Sequence, residues 1–225
     1  MDYGLFQRYA RYRLGSDAVY VEIGAGTGST AIANAEFLSL DPGRCHLVEA
    51  CPENFRVLQS KSRHFRTYNY AISECSGQVH LYVVDKPHYE GTSGSNSIDE
   101  RSLRTKTRLS VSEVTVPALR MNDFFEEAAI CRCDFLYMNC EGAEYRILRG
   151  DTTFLKRVFL FYLQLHKGLY GLAKTSGEMV EAKLAIYDLL ESNGFVRIGG
   201  HNRNHVMEIE NLHLSSFWEN ESFEA

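Results

Sequence analysis

Residues 19–30 read VYVEIGAGTGST, and this stretch decides the predicted fold. A short β-branched and aromatic run is followed by the pattern Gly24-x-Gly26-x-Gly28 and then by Ser29-Thr30, which opens a predicted helix. Glycines allow backbone amides at a helix N-terminus to approach a ligand without interference from a Cβ atom. The stretch therefore predicts a ligand site between the first strand and the first helix of an α/β fold.

Short apolar runs continue to alternate with amphipathic stretches along the chain. The predicted strands are Val19–Ile23, Cys45–Glu49, Arg66–Tyr70, Phe135–Asn139 and Phe159–Leu165, and the predicted helices are Thr30–Leu38, Pro52–Ser60 and Met121–Ala128. Because these strands are apolar throughout, both faces of their sheet should be covered by helices. The pattern predicts a doubly wound α/β domain with a mostly parallel sheet.

The C-terminal part predicts a helix followed by an antiparallel hairpin. The helix Met179–Ser192 ends at Asn193-Gly194, a good C-terminal capping signal, before the predicted strand Phe195–Ile198. A tight loop at Gly199–Asn204 then leads to a second strand-like run, Val206–Glu210.

We expect residues 1–225 to form one domain, with residues 1–18 as an N-terminal helical cap. Residues 85–112 are polar and too long for a routine connection, so they are predicted to be either a substrate lid or a mobile surface excursion. Arg101 and Arg104 belong to a basic cluster in this loop that could contact a phosphate on a substrate or simply be solvated. Since the first strand begins near Met1, covalent neighbour domains in a longer parent chain stay an open alternative.

The composition favours a protein that acts on a small molecule over one that binds nucleic acid or spans a membrane. The 24 basic and 29 acidic side chains give a formal net charge of -5, which provides no overall electrostatic attraction for nucleic acid. No apolar run approaches the roughly 18 residues needed to span a bilayer, and the N-terminus lacks a signal-peptide core. The six cysteines lack paired Cys-x-x-Cys spacing, so we interpret them as free thiols of a cytoplasmic protein.

Two carboxylates refine the ligand that the glycine turn should hold. Glu22 lies two positions before Gly24, and the third glycine comes one residue earlier than in the G-x-G-x-x-G dinucleotide fingerprint. Glu49 ends the second predicted strand, where a carboxylate can accept hydrogen bonds from both hydroxyls of a ribose. Glu22 and Glu49 are therefore expected to bracket one nucleoside-like ligand.

The motifs together resemble those of the FkbM family of S-adenosylmethionine-dependent methyltransferases, over nearly the whole chain. The matching segments are Val21–Gly26, Val48–Pro52 beside the family's F-E-P-x-P, Ala71–Ser73 with Gly77, and Cys140–Glu144 with Leu148 and Gly150 beside the family's I-D-V-E-G-A-E-x-x-V-L-x-G. The last of these is the family's most specific signature.

The resemblance implies a seven-stranded Rossmann-like methyltransferase sheet that binds S-adenosylmethionine and releases S-adenosylhomocysteine. It implies O-methylation of a hydroxyl on a sugar, glycan or related metabolite. The residues expected to bind the donor are Glu22, Gly24, Ala25, Gly26, Gly28, Glu49, Ala50, Ala71, Ile72 and Asn139.

Two positions depart from the family pattern, each by exchanging a carboxylate for an amide. Asn139 stands where the family usually has aspartate, and Gln164 stands where it often has glutamate in E-x-H. Because hard divalent cations favour carboxylate oxygens, we expect no metal at this site.

Asn139, Glu141, His166 and Lys167 should converge near the methyl group, because open α/β sheets bind ligands at the carboxyl ends of their strands. His166 is the first choice as general base, since an unperturbed imidazole pKa of roughly 6.5 suits proton abstraction near neutrality. Glu141 is expected to position the acceptor hydroxyl, orient the histidine or itself act as base. Lys167 is a candidate substrate-binding residue.

Two functions of other classes remain as alternatives. The two lost carboxylates would also suit a non-catalytic module that binds an adenosyl ligand. An NAD-dependent oxidoreductase is the other alternative, although the early third glycine disfavours it.

Overall fold

A computed structural model describes residues 3–84, 96, 98, 111–166, 176–200 and 214–223. Its strands, in chain order, are β1 (Tyr20–Ile23), β2 (Cys45–Val48), β3 (Arg66–Tyr68), β4 (Ala71–Ile72), β5 (Gly77–Val84), β6 (Val111–Leu119), β7 (Cys133–Met138), β8 (Val158–Leu165), β9 (Phe195–Gly200) and β10 (Leu214–Asn220). Its α-helices are α1 (Tyr3–Arg13), α2 (Ser29–Leu38), α3 (Pro52–Lys61), α4 (Met121–Glu127), α5 (Glu144–Arg149) and α6 (Ser176–Ser192).

Seven of the described strands form one sheet in the order β3-β2-β1-β7-β8-β10-β9. The five strands from β3 to β8 are parallel, and β10 runs antiparallel to both of its neighbours. The strands β1, β2 and β7 are buried along their whole length, as expected for a sheet covered on both faces. The predicted doubly wound α/β fold with a seven-stranded, mostly parallel sheet is confirmed.

The C-terminal antiparallel pair exists, but its second strand is not the predicted one. The strand that pairs with β9 is Leu214–Asn220, while Val206–Glu210 lies outside the described residues. Gly199 and Gly200, predicted to begin the hairpin loop, are the last residues of β9. Trp218 in β10 is fully buried, and its burial stabilises this strand although the neighbouring polar residues give only a weak strand pattern.

A second, three-stranded sheet in the order β4-β6-β5 was not predicted from the sequence. The strands β5 and β6 are antiparallel and largely exposed on one face, so neither shows the continuous apolar run of a buried strand. The loop predicted for residues 85–112 therefore ends earlier, since Val111 and Ser112 already belong to β6. Between residues 85 and 110 of that loop, the structure describes only Asn96 and Ile98.

Helix α1 covers one face of the sheet within the predicted cap at residues 1–18. Phe6 is fully buried, stacks on Phe217 of β10 with ring centroids 4.5 Å apart, and meets Phe135 of β7 edge-on at 5.5 Å. The hydroxyl of Tyr3 donates to Asn34 Oδ1 of α2 at 2.6 Å. Helix α1 therefore packs over both the parallel strand β7 and the C-terminal strand β10 of the sheet.

Candidate functional site

A cavity of about 120 Å³ opens at the carboxyl ends of β1, β2 and β7, and we call it the donor cavity. Predicted residues that line it are Gly24, Gly26, Glu49, Ala50, Ala71, Ile72, Asn139 and Glu141. They come from separate parts of the chain, and the parallel topology brings them together because the carboxyl ends of these strands share one edge of the sheet. The position agrees with the ligand site predicted from the glycine turn.

The glycine turn is fixed against the neighbouring strand ends. The backbone amides of Gly24 and Ala25 donate to the carbonyl oxygen of Val48, at 3.0 and 2.9 Å. Gly24 has φ +84°, and a Cβ atom there would lie 2.2 Å from the carbonyl oxygen of Asn139. Gly26 has φ +57°, but a Cβ atom there would meet nothing within 4 Å. The first glycine is thus needed for packing, whereas the second borders open space.

Glu49 holds its carboxylate at the wall of the donor cavity. Its Oε2 accepts from the amide of Gly26 at 2.8 Å, and its Oε1 accepts from the amide of Cys51 at 2.9 Å and from Asn54 Nδ2 at 3.3 Å. Burial raises the pKa of Glu49, and these hydrogen bonds oppose the rise. A carboxylate has about four lone-pair sites, so Glu49 keeps acceptor capacity for a ribose hydroxyl.

Two buried amide atoms at the donor cavity have no hydrogen-bond partner among the described residues: Asn139 Oδ1 and Asn96 Nδ2. Asn96 Oδ1 accepts from the amide of Val84 at 3.3 Å, which fixes the orientation of that side-chain amide. Leaving a buried polar atom unsatisfied costs about 1–3 kcal/mol. The donor cavity therefore presents one acceptor and one donor atom that have no partner among the described residues.

Apolar side chains form a slot at the side of the donor cavity where an adenine ring is expected. Ala71 and Ile72, predicted for this role, are joined by Tyr70, Leu81 and Ile98. Leu81 and Ile98 were missed by the sequence analysis because β5 was not recognised and residue 98 follows a polar, glycine-rich stretch. Apolar side chains beside two unsatisfied amide atoms are the kind of surroundings that a purine base needs.

Three predicted donor-binding residues do not line the donor cavity: Glu22, Ala25 and Gly28. Glu22 is fully buried beneath α1, where it accepts a hydrogen bond from the hydroxyl of Tyr20. Burial raises the pKa of Glu22 to about 8, even though the bond from Tyr20 lowers it. In this structure Glu22 belongs to a polar cluster inside the fold and does not face the cavity.

Glu141, His166 and Glu144 form a chain of charged groups next to the donor cavity. His166 Nδ1 lies 2.8 Å from Glu144 Oε1, and His166 Nε2 lies 3.3 Å from Glu141 Oε1. The Glu144 carboxylate also accepts from the amides of Cys140 at 2.7 Å and Gly142 at 2.8 Å. Glu141 has φ +53°, a left-handed conformation that costs energy outside glycine, and these bonds on both sides of it hold the turn in place.

The surroundings of His166 argue against its predicted role as general base. Burial lowers the pKa of His166, but the charges and hydrogen bonds of Glu144 and Glu141 outweigh burial and raise the pKa to about 10. A raised pKa favours the imidazolium form, which has no free ring nitrogen to accept a proton. It is also almost fully buried and does not line the donor cavity, whereas Glu141 does.

The three predicted substrate-binding residues, Lys167, Arg101 and Arg104, lie outside the described residues. Within the parts of the chain that the structure describes, no group of three or more His, Cys, Asp or Glu side chains could hold a metal ion. No helix among those parts is both long and apolar enough to cross a membrane.

The family model described as "Methyltransferase FkbM domain" matches residues 22–197. That range includes the glycine turn, Glu49, the apolar slot, the Glu141–His166–Glu144 chain and most of the sheet. A comparison with curated proteins finds no match.

Solved structures of methyltransferases share the fold at low sequence identity. The methyltransferase FkbM from Methylobacillus flagellatus KT is 12% identical with a TM-score of 0.51, and the match covers 91% of this chain and 44% of that one. The N-terminal domain of human METTL16, solved in complex with S-adenosylhomocysteine (SAH), is 10% identical with a TM-score of 0.50, and the match covers 98% of this chain and 68% of that one. At these identities the likeness shows the fold alone.

Proposed function

Because the chain belongs to the FkbM family of methyltransferases, we propose that it transfers the methyl group of S-adenosylmethionine to a hydroxyl of a sugar, glycan or related metabolite. The observation that carries the proposal is the donor cavity, where a ribose-binding carboxylate, an apolar slot and two unsatisfied amide atoms meet at the carboxyl edge of the sheet. Support for the donor also comes from the METTL16 domain, a structure of similar fold that contains SAH.

The chain offers a separate group for each part of the donor. Glu49 accepts a hydrogen bond from a ribose hydroxyl, and the slot at Ala71 and Ile72 holds the adenine ring. Asn139 Oδ1 accepts a hydrogen bond from the α-ammonium group of the methionine portion. The open space beside Gly26 leaves room for the ligand, and any larger residue at this position would begin to fill that space.

The reaction needs a group that accepts the proton of the acceptor hydroxyl, and Glu141 is a carboxylate at the cavity wall that is not assigned to the ribose. When bound, S-adenosylmethionine would supply an electrophilic methyl group for the hydroxyl oxygen, with SAH as the leaving group. Glu141 takes the hydroxyl proton as the new C–O bond forms, because a carboxylate is too weak a base to remove it fully beforehand. His166, as a cation between Glu144 and Glu141, positions the Glu141 carboxylate and is not itself the base.

The acceptor class is proposed on the family resemblance and on the charge of the chain. An overall charge of -5 gives no attraction for a polyanionic nucleic acid, and a sugar hydroxyl needs no such attraction. A hydroxyl also needs a base, which the carboxylate of Glu141 supplies.

The proposal is tested with the purified chain, S-adenosylmethionine and a panel of sugars, nucleotide sugars and glycans. We expect a methylated product by mass spectrometry, with release of SAH. Glu141→Gln should keep the affinity for SAH in calorimetry while turnover falls at least about 100-fold, the usual contribution of general base catalysis. Glu36→Gln, an exposed change on α2, is the control and should leave both unchanged.

Near-normal turnover of the Glu141→Gln variant would remove the base role. Tight binding of SAH without product from any acceptor would favour the non-catalytic binding module. Binding of NAD in place of SAH would favour the oxidoreductase.

A further inference from the structure

A second and larger cavity, of about 390 Å³, lies at the opposite edge of the main sheet. Its lining includes residues that precede or begin the parallel strands, among them Val19 before β1, His46 in β2, Arg66 in β3 and Asp134 in β7. The donor cavity instead lies where these strands end. We call this second cavity the arginine cleft, and it shares no lining residue with the donor cavity among the described residues.

The arginine cleft concentrates positive charge on an acidic protein. Four arginines line it against two aspartates among the described residues: Arg13, Arg44, Arg66, Arg132, Asp17 and Asp134. The chain as a whole carries a formal charge of -5, so the cleft runs against the overall balance. A local cationic cavity of this kind attracts small anions.

Two of these arginines are held in place and have partners. Arg132 Nε donates to Asp134 Oδ1 at 2.6 Å, and the Arg132 guanidinium lies 5.1 Å from the ring centroid of Phe223. Arg13 pairs with Glu219 and lies 5.2 Å from the ring centroid of Phe159. The positive charges of Arg132 and Arg13 are therefore largely balanced by Asp134 and Glu219.

Arg44 and Arg66 supply the excess charge, since neither forms an ion pair with a carboxylate among the described residues. Arg66 Nε donates to the carbonyl oxygen of Gly43 at 2.9 Å, which fixes the side chain at the rim. Burial, together with the charges of Arg66 and Arg44, lowers the pKa of His46 to about 4. The imidazole therefore stays neutral, and both guanidinium groups lie close enough to act on it.

We propose that the arginine cleft binds the phosphoryl group of a phosphorylated small molecule, at a site separate from the methyl-transfer site. Guanidinium groups match phosphate oxygens with paired, charge-assisted hydrogen bonds. The volume lies within the roughly 300–1,000 Å³ typical of small-molecule sites. A small ligand fits better than nucleic acid, because the acidic remainder of the chain would repel a long polyanion. The proposal does not depend on the methyl acceptor.

Pyrophosphate is the probe for this proposal, titrated by calorimetry into the whole chain at low salt. We expect saturable binding whose dissociation constant rises at least tenfold in the double variant Arg44→Ala with Arg66→Ala. The control is Arg56→Ala with Arg63→Ala, which removes the same charge from exposed positions that line neither cavity. The control should change the constant less than twofold, and SAH affinity should be unchanged in both variants.

The alkylation rates of two cysteines can show where the anion binds in the wild-type chain. Cys131 and Cys75 are both exposed, but only Cys131 lines the arginine cleft. Pyrophosphate should slow alkylation of Cys131, measured by peptide mass spectrometry, and leave the rate at Cys75 unchanged.

Three results would overturn the proposal. These are an absence of saturable pyrophosphate binding, equal losses in the two double variants, or equal alkylation rates at Cys131 with and without pyrophosphate. If a single-stranded RNA binds more tightly than pyrophosphate and loses affinity in the same variant, the ligand of the arginine cleft is a nucleic acid and the proposal of a small molecule is wrong.

Discussion

His166 is the residue whose surroundings change its expected chemistry most, because carboxylates lie beside both ring nitrogens. Its pKa of about 10 in the folded chain lies above the value of roughly 6.5 expected when unfolded. The resulting stabilisation is complete below about pH 6.5 and is lost as the pH rises through about 10. We expect the unfolding free energy from urea denaturation to fall over this range, and His166→Gln should remove that part of the slope.

His80→Gln is the matched control for replacing a histidine by glutamine, since His80 is exposed on β5, away from Glu141 and Glu144. In NMR titrations, the His166 ring should show no protonation change between pH 5 and 8. Titration of that ring below pH 8, or parallel pH profiles for the wild type and His166→Gln, would show that the ring is not an imidazolium.

Individual site residues were predictable where they belong to a local motif. Glu49 follows a buried strand, and Glu141 lies in the Cys140–Glu144 signature, so sequence placed both at the strand ends. Asn96 had no such signal, because an amide in a polar, glycine-rich stretch resembles any solvated loop residue. The charge state of His166 was also beyond sequence, since it depends on Glu144, 22 positions away in the chain, meeting it in the buried interior.

We propose that donor binding depends on the glycine turn, and the variant Gly26→Ala tests this. Gly26 has positive φ and open space around its missing Cβ, so Gly26→Ala costs about 1–2 kcal/mol of backbone strain but introduces no clash within the protein. The added methyl group should instead intrude on the bound donor. We expect SAH affinity in calorimetry to fall at least tenfold, beyond any effect of the change in stability.

Gly77→Ala is the control for this strain, because Gly77 also has positive φ and nothing within 4 Å of an added Cβ, but it lies at the start of β5 and does not line the donor cavity. It should lower the stability and keep the affinity for SAH. Equal affinity of the two variants would mean that the donor does not approach Gly26.

Strands that are buried along their whole length could be predicted from the sequence, whereas half-exposed strands could not. The buried strand β1 ends at Ile23 as predicted, because continuous apolar residues carry a clear signal. The second sheet carries no such signal, since β5 and β6 are half exposed and residues 85–110 separate them. Strand β10 was missed for a related reason: Ser215, Ser216 and Glu219 flank the apolar pair Phe217-Trp218.

At the scale of the molecule, the parallel sheet separates two chemical environments. Its carboxyl edge holds the carboxylates of Glu49 and Glu141, and its amino edge holds the arginine cleft. Parallel strands produce this division because every strand begins at one edge and ends at the other. Sites at the two edges can therefore bind ligands without competing for the same side chains.

The two ends of the described chain stabilise the whole fold together, and Phe6 tests this. It is fully buried between Phe217 and Phe135, so Phe6→Ala should lower the unfolding free energy by about 3–5 kcal/mol and the melting temperature by roughly ten degrees. Leu5→Ala, the neighbouring and half-exposed position, should change stability by less than about 0.5 kcal/mol. Trp218, the one tryptophan, lies in β10 and reports on this layer by fluorescence. If α1 and β10 belong to the same cooperative unit as the sheet, fluorescence and far-UV circular dichroism will melt together in Phe6→Ala; an earlier fluorescence transition would show that this layer unfolds separately.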